Sequence, residues 1–341
     1  MDYWYLLDYW IIGLFIVNRL IIIDGNAILH RAFHALPPLT SPDGVLTNAV
    51  YGFTSMLIRL ISDLTPTHVA VAFDRPKPTF RKELFKDYQI KRPKMDDGLA
   101  AQIPMVHDVL SAMHIPIFEQ DGFEADDVIG TLCQQFQSPK SKVKSAIDQI
   151  IIVTGDRDLL QLVTNTTKAY MPTKGLSEAK LYGPVETKER LGVDPTQIPD
   201  YKALAGDQSD NYPGVPGVGP KTAQDLIMKY KTVEQLYKKL ETKKKIPDIS
   251  DTLQKKLRTH KQLAILSKTL ATVRTDVPID PVISTLTKEQ LKTPDVIKQF
   301  ELLGFTSLIK RLLLNGKSQT KGTQKKKKDR KKTVDEQMSL V

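Results

Sequence analysis

The chain has 341 residues, long enough to bury one sizeable core or two modest ones. Its single cysteine, Cys133, excludes an internal disulfide and fits a reducing compartment. Residues 317–341 hold nine Lys and Arg against three Asp and Glu, leaving 40 basic against 36 acidic residues before them, so the net charge of +10 mostly describes the tail and only hints at a polyanionic partner for the body.

Residues 1–17, MDYWYLLDYWIIGLFIV, are apolar but contain Asp2 and Asp8, lack a basic segment ahead of them and lead directly into a strand. They read as an N-terminal extension rather than a membrane anchor, with the natural start near Val17, and no membrane partner is expected. Three runs then each end on an aspartate: RLIIID at 19–24, HVAVAFD at 68–74 and QIIIVTGD at 149–156. Runs of Ile and Val without polar alternation are the pattern of strands buried on both faces, as in the parallel sheet of an α/β fold. Between the first two runs, residues 26–35 and 48–63 carry helical periodicity around the breaker LPPLTSPDG. Residues 75–97 are dense in Lys and Arg, with Phe80, Phe85 and Tyr88 interleaved. A helix over 100–113 and a short strand over 115–118 follow. The helix opening at Glu124 has the apolar stripe Val128, Ile129, Leu132, Cys133, Phe136, which makes Cys133 a core residue rather than a nucleophile. Residues 138–146 form a polar loop and 168–182 a further strand with turns. From 198 to 237 the pattern is helix, glycine-rich loop, helix. Residues 239–249 read as a charged linker, 250–314 as helices with a last strand near 270–273, and 317–341 as a disordered tail.

Acidic residues recur at tight spacings beyond Asp24, Asp74 and Asp156: Glu124, Asp126 and Asp127 in FEADDV, Asp158 after Arg157, and Asp207 and Asp210 in AGDQSD. Singly, each reads as a helix cap or first-turn acid, worth about 0.3–1 kcal/mol. Jointly, carboxylates gathered at the carboxyl ends of strands, where ligands bind in open α/β sheets, repel one another and call for a positive partner. Oxygen donors without Cys or His suit a hard cation such as Mg²⁺ or Mn²⁺ and argue against zinc. Two such ions roughly 4 Å apart form the clamp used for in-line displacement at phosphorus.

GVPGVGPKTA at 214–223 has the form of a helix-hairpin-helix. Gly217 and Gly219 permit close backbone approach, and a helix starting near Lys221 and Thr222 turns free amides toward a phosphate of any base sequence. K⁺ held by loop carbonyls is compatible with such a hairpin; the alternative is a helix connection without a ligand. The 75–94 stretch reads as a single-strand contact, with bases on aromatics and Lys or Arg along phosphates, against the alternative of a solvated charged face.

IIIDGNAILHRAFHALPPL, VAFDRPKPTFRKELFKDY, GFEADDVIGTL, TGDRDLLQLV and LAGDQSDNYPGVPGVGPKTA closely resemble the 5′→3′ exonuclease domain of bacterial DNA polymerase I, within the flap endonuclease superfamily. The resemblance runs from about Arg19 to Leu314. It implies a PIN-like α/β core with a mainly parallel sheet, a helical arch about 75–105 for a 5′ single strand, and a helix-hairpin-helix on duplex DNA. The implied division is an extension at 1–17, a nuclease core at 18–197, a hairpin subdomain at 198–245, a C-terminal helical part at 246–316 and a tail at 317–341. One metal would be held by Asp24, Asp74, Glu124 and Asp126. The second would be held through Asp126, Asp156, Asp158 and Asp210, with Asp127 and Asp207 nearby or bound through water. Arg81 and Arg92 correspond to contacts with the scissile phosphate and the arch, and Arg31, Phe80 and Tyr88 to contacts with the strand. The family usually carries Lys directly after that tyrosine; this chain has Gln89, and Lys91 is the expected substitute. The chain also stops at 341 residues, without proofreading or polymerase regions, and its N-terminal extension has no family counterpart.

The implied activity is that of a free-standing, Mg²⁺-dependent 5′→3′ exonuclease and 5′-flap endonuclease. It would be monomeric, cytoplasmic and nucleoid-associated, acting on 5′ flaps, 5′ ends and RNA primers in replication and repair. A non-catalytic flap-binding factor and an RNase of the PIN-like class are the alternatives. The last residues resemble the peptide that binds the bacterial sliding clamp, with Gln337 for a polar notch and Leu340 and Val341 for an apolar pocket, although Phe is the usual ending. On a lysine-rich tether such a peptide raises local concentration at DNA ends; otherwise the lysines only add salt-sensitive affinity.

Overall fold

The structure is a computed structural model that describes residues 17–137, 147–174, 178–242, 245–287 and 289–314. The extension before residue 17, the 138–146 loop and the tail carrying Gln337, Leu340 and Val341 lie outside the described residues.

Strands β1 (Arg19–Asp24), β2 (His68–Ala72), β3 (Ile117–Phe118), β4 (Gln149–Val153), β5 (Thr167–Lys174) and β6 (Glu178–Tyr182) form one sheet in the order β3-β2-β1-β4-β5-β6. All neighbours are parallel except β5 and β6. The missing polar alternation has a direct cause. Ile21, Ile23, Val69, Val71, Ile151 and Val153 enter one core, and Leu20, Ile22, Ala70, Ala72, Ile150 and Ile152 enter the core on the opposite face. Each fully buried Ile or Val contributes about 1.5–3 kcal/mol, so the three runs nucleate both layers at once. The first layer includes the helices Gly25–Ala35, Asn48–Leu64, Ile103–Ala112, Pro294–Leu302 and Thr306–Leu314, through residues such as Phe53, Val106, Phe300 and Leu308. The helix Ala125–Gln137 covers the other face with Val128, Ile129, Leu132 and Phe136. Cys133 sits in this layer, its thiol pushed up to about 12 by burial, as befits a core residue.

The chain steps outward from β1 through β2 to β3, then returns to β4 on the other side of β1. The strand order reverses between β1 and β4, and the crevice at their carboxyl ends is where such sheets bind ligands.

A second core is built from the helices Ile198–Ala205, Pro220–Tyr230, Val233–Thr242, Asp251–Thr259 and Lys261–Ala271, around Leu204, Ile227, Leu236, Leu257 and Ala264. Residues 291–312 return to the first core, so the segment expected as one C-terminal part is shared between the two. The expected strand near 270–273 is absent among the described residues. Leu270 and Ala271 end a helix that Thr272 N closes on Lys268 O, and the two amides after it donate to side chains instead of a ladder: Val273 N to Gln161 Oε1 at 2.9 Å and Arg274 N to Asp127 Oδ1 at 2.8 Å. The helix expected over 100–113 is broken at Gln102, which is fully buried and accepts from Ala49 N at 2.8 Å, capping the helix Asn48–Leu64 from outside. Within 75–97 the helical turns are brief, Phe80–Leu84 and a start at Asp97, with prolines at 76, 78 and 93 limiting them. No helix among the described residues is long and apolar enough to cross a membrane.

Candidate metal centre and nucleic-acid face

The strand-end carboxylates are helix caps and site residues at once. Asp24 Oδ1 accepts from Ala27 N at 3.0 Å, starting the helix Gly25–Ala35, and Oδ2 accepts from Thr154 Oγ1 at 2.7 Å, tying β1 to the end of β4. Asp74 Oδ1 accepts from Ala125 N at 2.7 Å at the start of the next helix. That hydrogen bond brings the end of β2 to Glu124 and Asp126. Burial, then the charges of Asp74 and Asp156, push Asp24 up to about 7. Glu124 is likewise pushed up to about 7, mainly by burial. Asp126 is raised well above the carboxylate range by burial and by Asp156, Asp24, Glu124 and Asp74. Asp74 is raised as well, although it keeps an edge open to solvent that screens its neighbours. Five carboxylates therefore repel one another at the crevice.

A second group adjoins it. Asp158, Asp207 and Asp210 each offer an oxygen, all within 4.8 Å of one another. Asp158 follows β4 and donates its amide to Asp156 Oδ1 at 2.8 Å, which links the two groups. The other two lie on the loop between the second core's first helices. Its ends are pinched at Gly206 (φ 72°) and Gly214 (φ 60°), where a Cβ on Gly214 would stand 2.3 Å from Gly206 N. Inside the pinch, Asp207 and Tyr212 exchange backbone hydrogen bonds of 2.9 and 3.0 Å. Burial lifts Asp158 to about 7 against the pull of Lys202. The Lys202 ammonium, from the helix Ile198–Ala205, bridges Asp158 and Asp207. Burial opposes its charge, but both carboxylates outweigh that and hold it above the usual lysine range. Sequence reading missed Lys202: one lysine in IPDYKALA carries no signal of where its helix will point it. Tyr212, 2% exposed, leaves its hydroxyl without a hydrogen-bond partner beside these carboxylates.

Two expected roles are corrected. Asp127 is fully buried and turned to Arg81, whose guanidinium binds both its oxygens at 2.6 and 2.8 Å. Asp127 also accepts from Glu124 N and Arg274 N at 3.1 and 2.8 Å, which commits its oxygens internally rather than to a metal. Arg81, 2% exposed, further donates to Leu270 O and Thr272 O at 2.8 and 3.0 Å. It ties the base of the 75–97 segment to the second core and has no solvent face with which to meet a phosphate. Two strand-contact assignments change for related reasons. Tyr88 is 3% exposed, stacked on Tyr212 (centroids 6.4 Å apart, planes 15°) with its hydroxyl 3.3 Å from Glu124 Oε2. Phe80 is half-buried beneath the Arg81 and Arg274 guanidinium groups and beside Phe123. Lys91 is exposed, and Arg92 reaches Asp210, Asp74, Glu124 and Asp156 electrostatically, which keeps its charge firmly in place. Arg31 is half-buried on the helix Gly25–Ala35. Gln89 donates to Asp210 Oδ1 at 3.0 Å.

At the hairpin, Gly217 has φ 79° and lies under the Lys256 side chain. Gly219 precedes the helix Pro220–Tyr230, and nothing stands within 4 Å of where its Cβ would be. The first-turn amides, exposed Lys221 and half-buried Thr222 thus present an open helix N-terminus, suited to a phosphate.

A family model of the 5′-3′ exonuclease N-terminal resolvase-like domain matches residues 19–192, and one of the 5′-3′ exonuclease C-terminal SAM fold matches residues 193–294. The chain belongs to the 5′-3′ exonuclease family. DNA polymerase I of Bacillus subtilis (strain 168) is 41% identical over 301 residues, covering 86% of this chain and 32% of that protein. DNA polymerase I of Mycobacterium bovis is 38% identical over 295 residues, covering 86% and 31%. The chain thus spans about a third of the length of these curated relatives. Among solved structures, T5 5′-exonuclease with bound zinc matches with a TM-score of 0.60 at 21% identity, over 86% of this chain and 98% of that one. The catalytic core of Rad2 in complex with DNA substrate matches with a TM-score of 0.55 at 17% identity, over 88% and 91%. These likenesses show the same PIN-like fold for this member of the exonuclease family.

Proposed function

We propose that the chain is a divalent-cation-dependent, structure-specific 5′ nuclease that cuts 5′ flaps near their junction with duplex and degrades 5′ ends. The observation that carries this reading is the double carboxylate set at the β1–β4 crevice, oxygen-only, mostly half-buried and mutually repelling, in a chain whose hairpin also presents an open helix N-terminus. Such a set fits Mg²⁺, with Mn²⁺ as a substitute, better than a softer metal. Asp24, Asp74, Glu124 and Asp126 would hold one ion, and Asp126, Asp156, Asp158, Asp207 and Asp210 the other. Bound ions supply a hydroxide at neutral pH and charge compensation at the departing oxygen.

The chain's own residues do the rest. Thr154 and Ala27 fix the Asp24 carboxylate, so its oxygens need no reorganisation. Lys202 holds Asp158 and Asp207 together from behind. Arg92, and Lys91 beside it, offer cations to the phosphates of a single strand above the crevice. The helix start at Gly219, with Lys221, Thr222 and the loop carbonyls that suit K⁺, grips a duplex phosphate. Duplex at one point and single strand at the other define a flap. Hydrolysis breaks the P–O3′ bond, water oxygen joins phosphorus, and a 5′-phosphate and 3′-hydroxyl remain. Substrates at lagging-strand junctions, including RNA primers on DNA, a cytoplasmic monomer and recruitment through the clamp-like tail belong to the same proposal, for which the relatives' name, DNA polymerase I, supports action on DNA.

The test is cleavage of a 5′-labelled double-flap DNA with Mg²⁺, with and without EDTA, by the unaltered chain and by Asp156→Ala. The expected result is a discrete junction-proximal product, lost with EDTA and lost in Asp156→Ala while flap binding persists. Cleavage by Asp156→Ala near the unaltered rate would overturn the cation assignment. Binding without cutting by the unaltered chain would favour a flap-binding factor.

A further inference from the structure

The helix Gly25–Ala35 carries a histidine pair outside the carboxylate set. His30 and His34 are both exposed and stand four residues apart, so their side chains rise from one face of the helix. Their Nε2 atoms lie 3.3 Å apart, and the ring centroids 4.4 Å apart with planes at 59°. Phe33 meets the His34 ring edge-on at 5.2 Å, which steadies its direction. Among the described residues no other two histidine rings touch.

At this distance one Nε2–H can point at the other ring's lone pair, a single long hydrogen bond. The same geometry suits a metal chelate. Imidazole nitrogens about 2.0–2.1 Å from a tetrahedral Zn²⁺ stand about 3.3–3.4 Å from each other, whereas a right-angled octahedral pair would stand closer, at about 2.9 Å. Both lone pairs then turn to the ion and each ring keeps its proton on Nδ1. Three further features favour a cation. His30 is held below its ordinary value, first by the partial cover over its ring and then by His34 and Arg92, which makes it an uncharged ligand at neutral pH. His34 lies in the last turn of the helix, where the free carbonyls favour positive charge. Arg92, a neighbour that would oppose an ion, is itself offset by Asp210, Asp74, Glu124 and Asp156. Residue 31 is Arg where the zinc-protease pattern of two helical histidines carries a glutamate base, so the pair is suited to binding and not to hydrolysis.

We propose that His30 and His34 form a two-imidazole site for a transition-metal dication of the Zn²⁺ class, with its remaining positions open to ligands from solution. Nitrogen donors separate this site from the carboxylate set, whose oxygens suit hard cations. The site does not depend on the nuclease activity proposed above.

The test follows the imidazole resonances of the tag-free full chain by NMR during titration with ZnCl₂, with Mg²⁺ in large excess to occupy the carboxylates. Calorimetry repeats the titration on the unaltered chain, His30→Gln and His34→Gln. The His30 and His34 signals should shift together and saturate together. Each single variant should lose one Zn²⁺ equivalent and leave its surviving histidine unmoved, while its zinc-free melting temperature stays as in the unaltered chain, because both side chains are exposed. Rings that do not move with Zn²⁺ would show a hydrogen-bonded pair and no metal site. A shift of one ring alone, or an equivalent retained in either variant, would likewise overturn the chelate.

Discussion

Asp127 and Arg81 show how little a charged motif says about the fate of each member. Both stand in stretches that read as site and strand contact, and both are interior. Removing one partner of a buried, bidentate pair strands the other charge, which costs about 3–5 kcal/mol. Arg81→Ala should therefore lower the unfolding free energy by about that amount in urea titration, and Arg81→Lys should recover little, because an ammonium cannot reproduce the fork. A loss below about 1 kcal/mol would mean that the pair is not structural. The strand-end aspartates were legible because an apolar run followed by Asp marks a sheet edge. Arg81, Tyr88 and Lys202 were not, because their direction is set by contacts with residues more than a hundred positions away or by the packing of their own helix.

Elements were legible where the burial of their own residues sets a local pattern. The three Ile/Val runs and the helices after β1 and before β2 match their patterns closely. The predicted helix at 100–113 restarts at Ile103, where Pro104 fits only a first turn, and the strand at 270–273 is missing where the Gln161 and Asp127 side chains accept from the Val273 and Arg274 amides, an event without a local signature. The glycine loop is an intermediate case. The sequence shows that it turns, while only the structure shows that Gly206 and Gly214 touch and so aim Asp207 and Asp210. Gly214→Ala must adopt a left-handed conformation costing about 1–2 kcal/mol and must also push Gly206 aside. It should retain Mn²⁺ at the Asp24–Asp126 group and lose it at the Asp207–Asp210 group, so calorimetry should count one ion instead of two. Two ions bound with unaltered affinity would show that the pinch does not position the loop.

At the scale of the whole molecule, the carboxylate edge opposes the stability of the fold that carries it. Asp24, Glu124 and Asp158 are pushed up to about 7, and Asp126, Asp74 and Asp210 are raised too, all by burial first. Raised acids bind more protons in the folded chain than in the unfolded chain, so between the ordinary carboxylate range and about pH 7 stability must fall as pH rises, by about 1.4 kcal/mol per pH unit for each group shifted through that window. His30 and His68, lowered chiefly by burial, act in the opposite sense near neutrality, but they are two against six. In EDTA the melting temperature should therefore decline from pH 5.5 to 8. Saturating Mg²⁺ should abolish most of that decline, because a cation holds the carboxylates ionised in the folded state alone and stabilises it by mass action. The comparison with and without Mg²⁺ isolates the cluster, since the histidines contribute equally to both curves. A melting temperature in EDTA that stays level or rises across this range would mean that these carboxylates are not forced together in the folded chain. A Mg²⁺ effect no larger at pH 8 than at pH 5.5 would mean that the cation does not bind where the protons do.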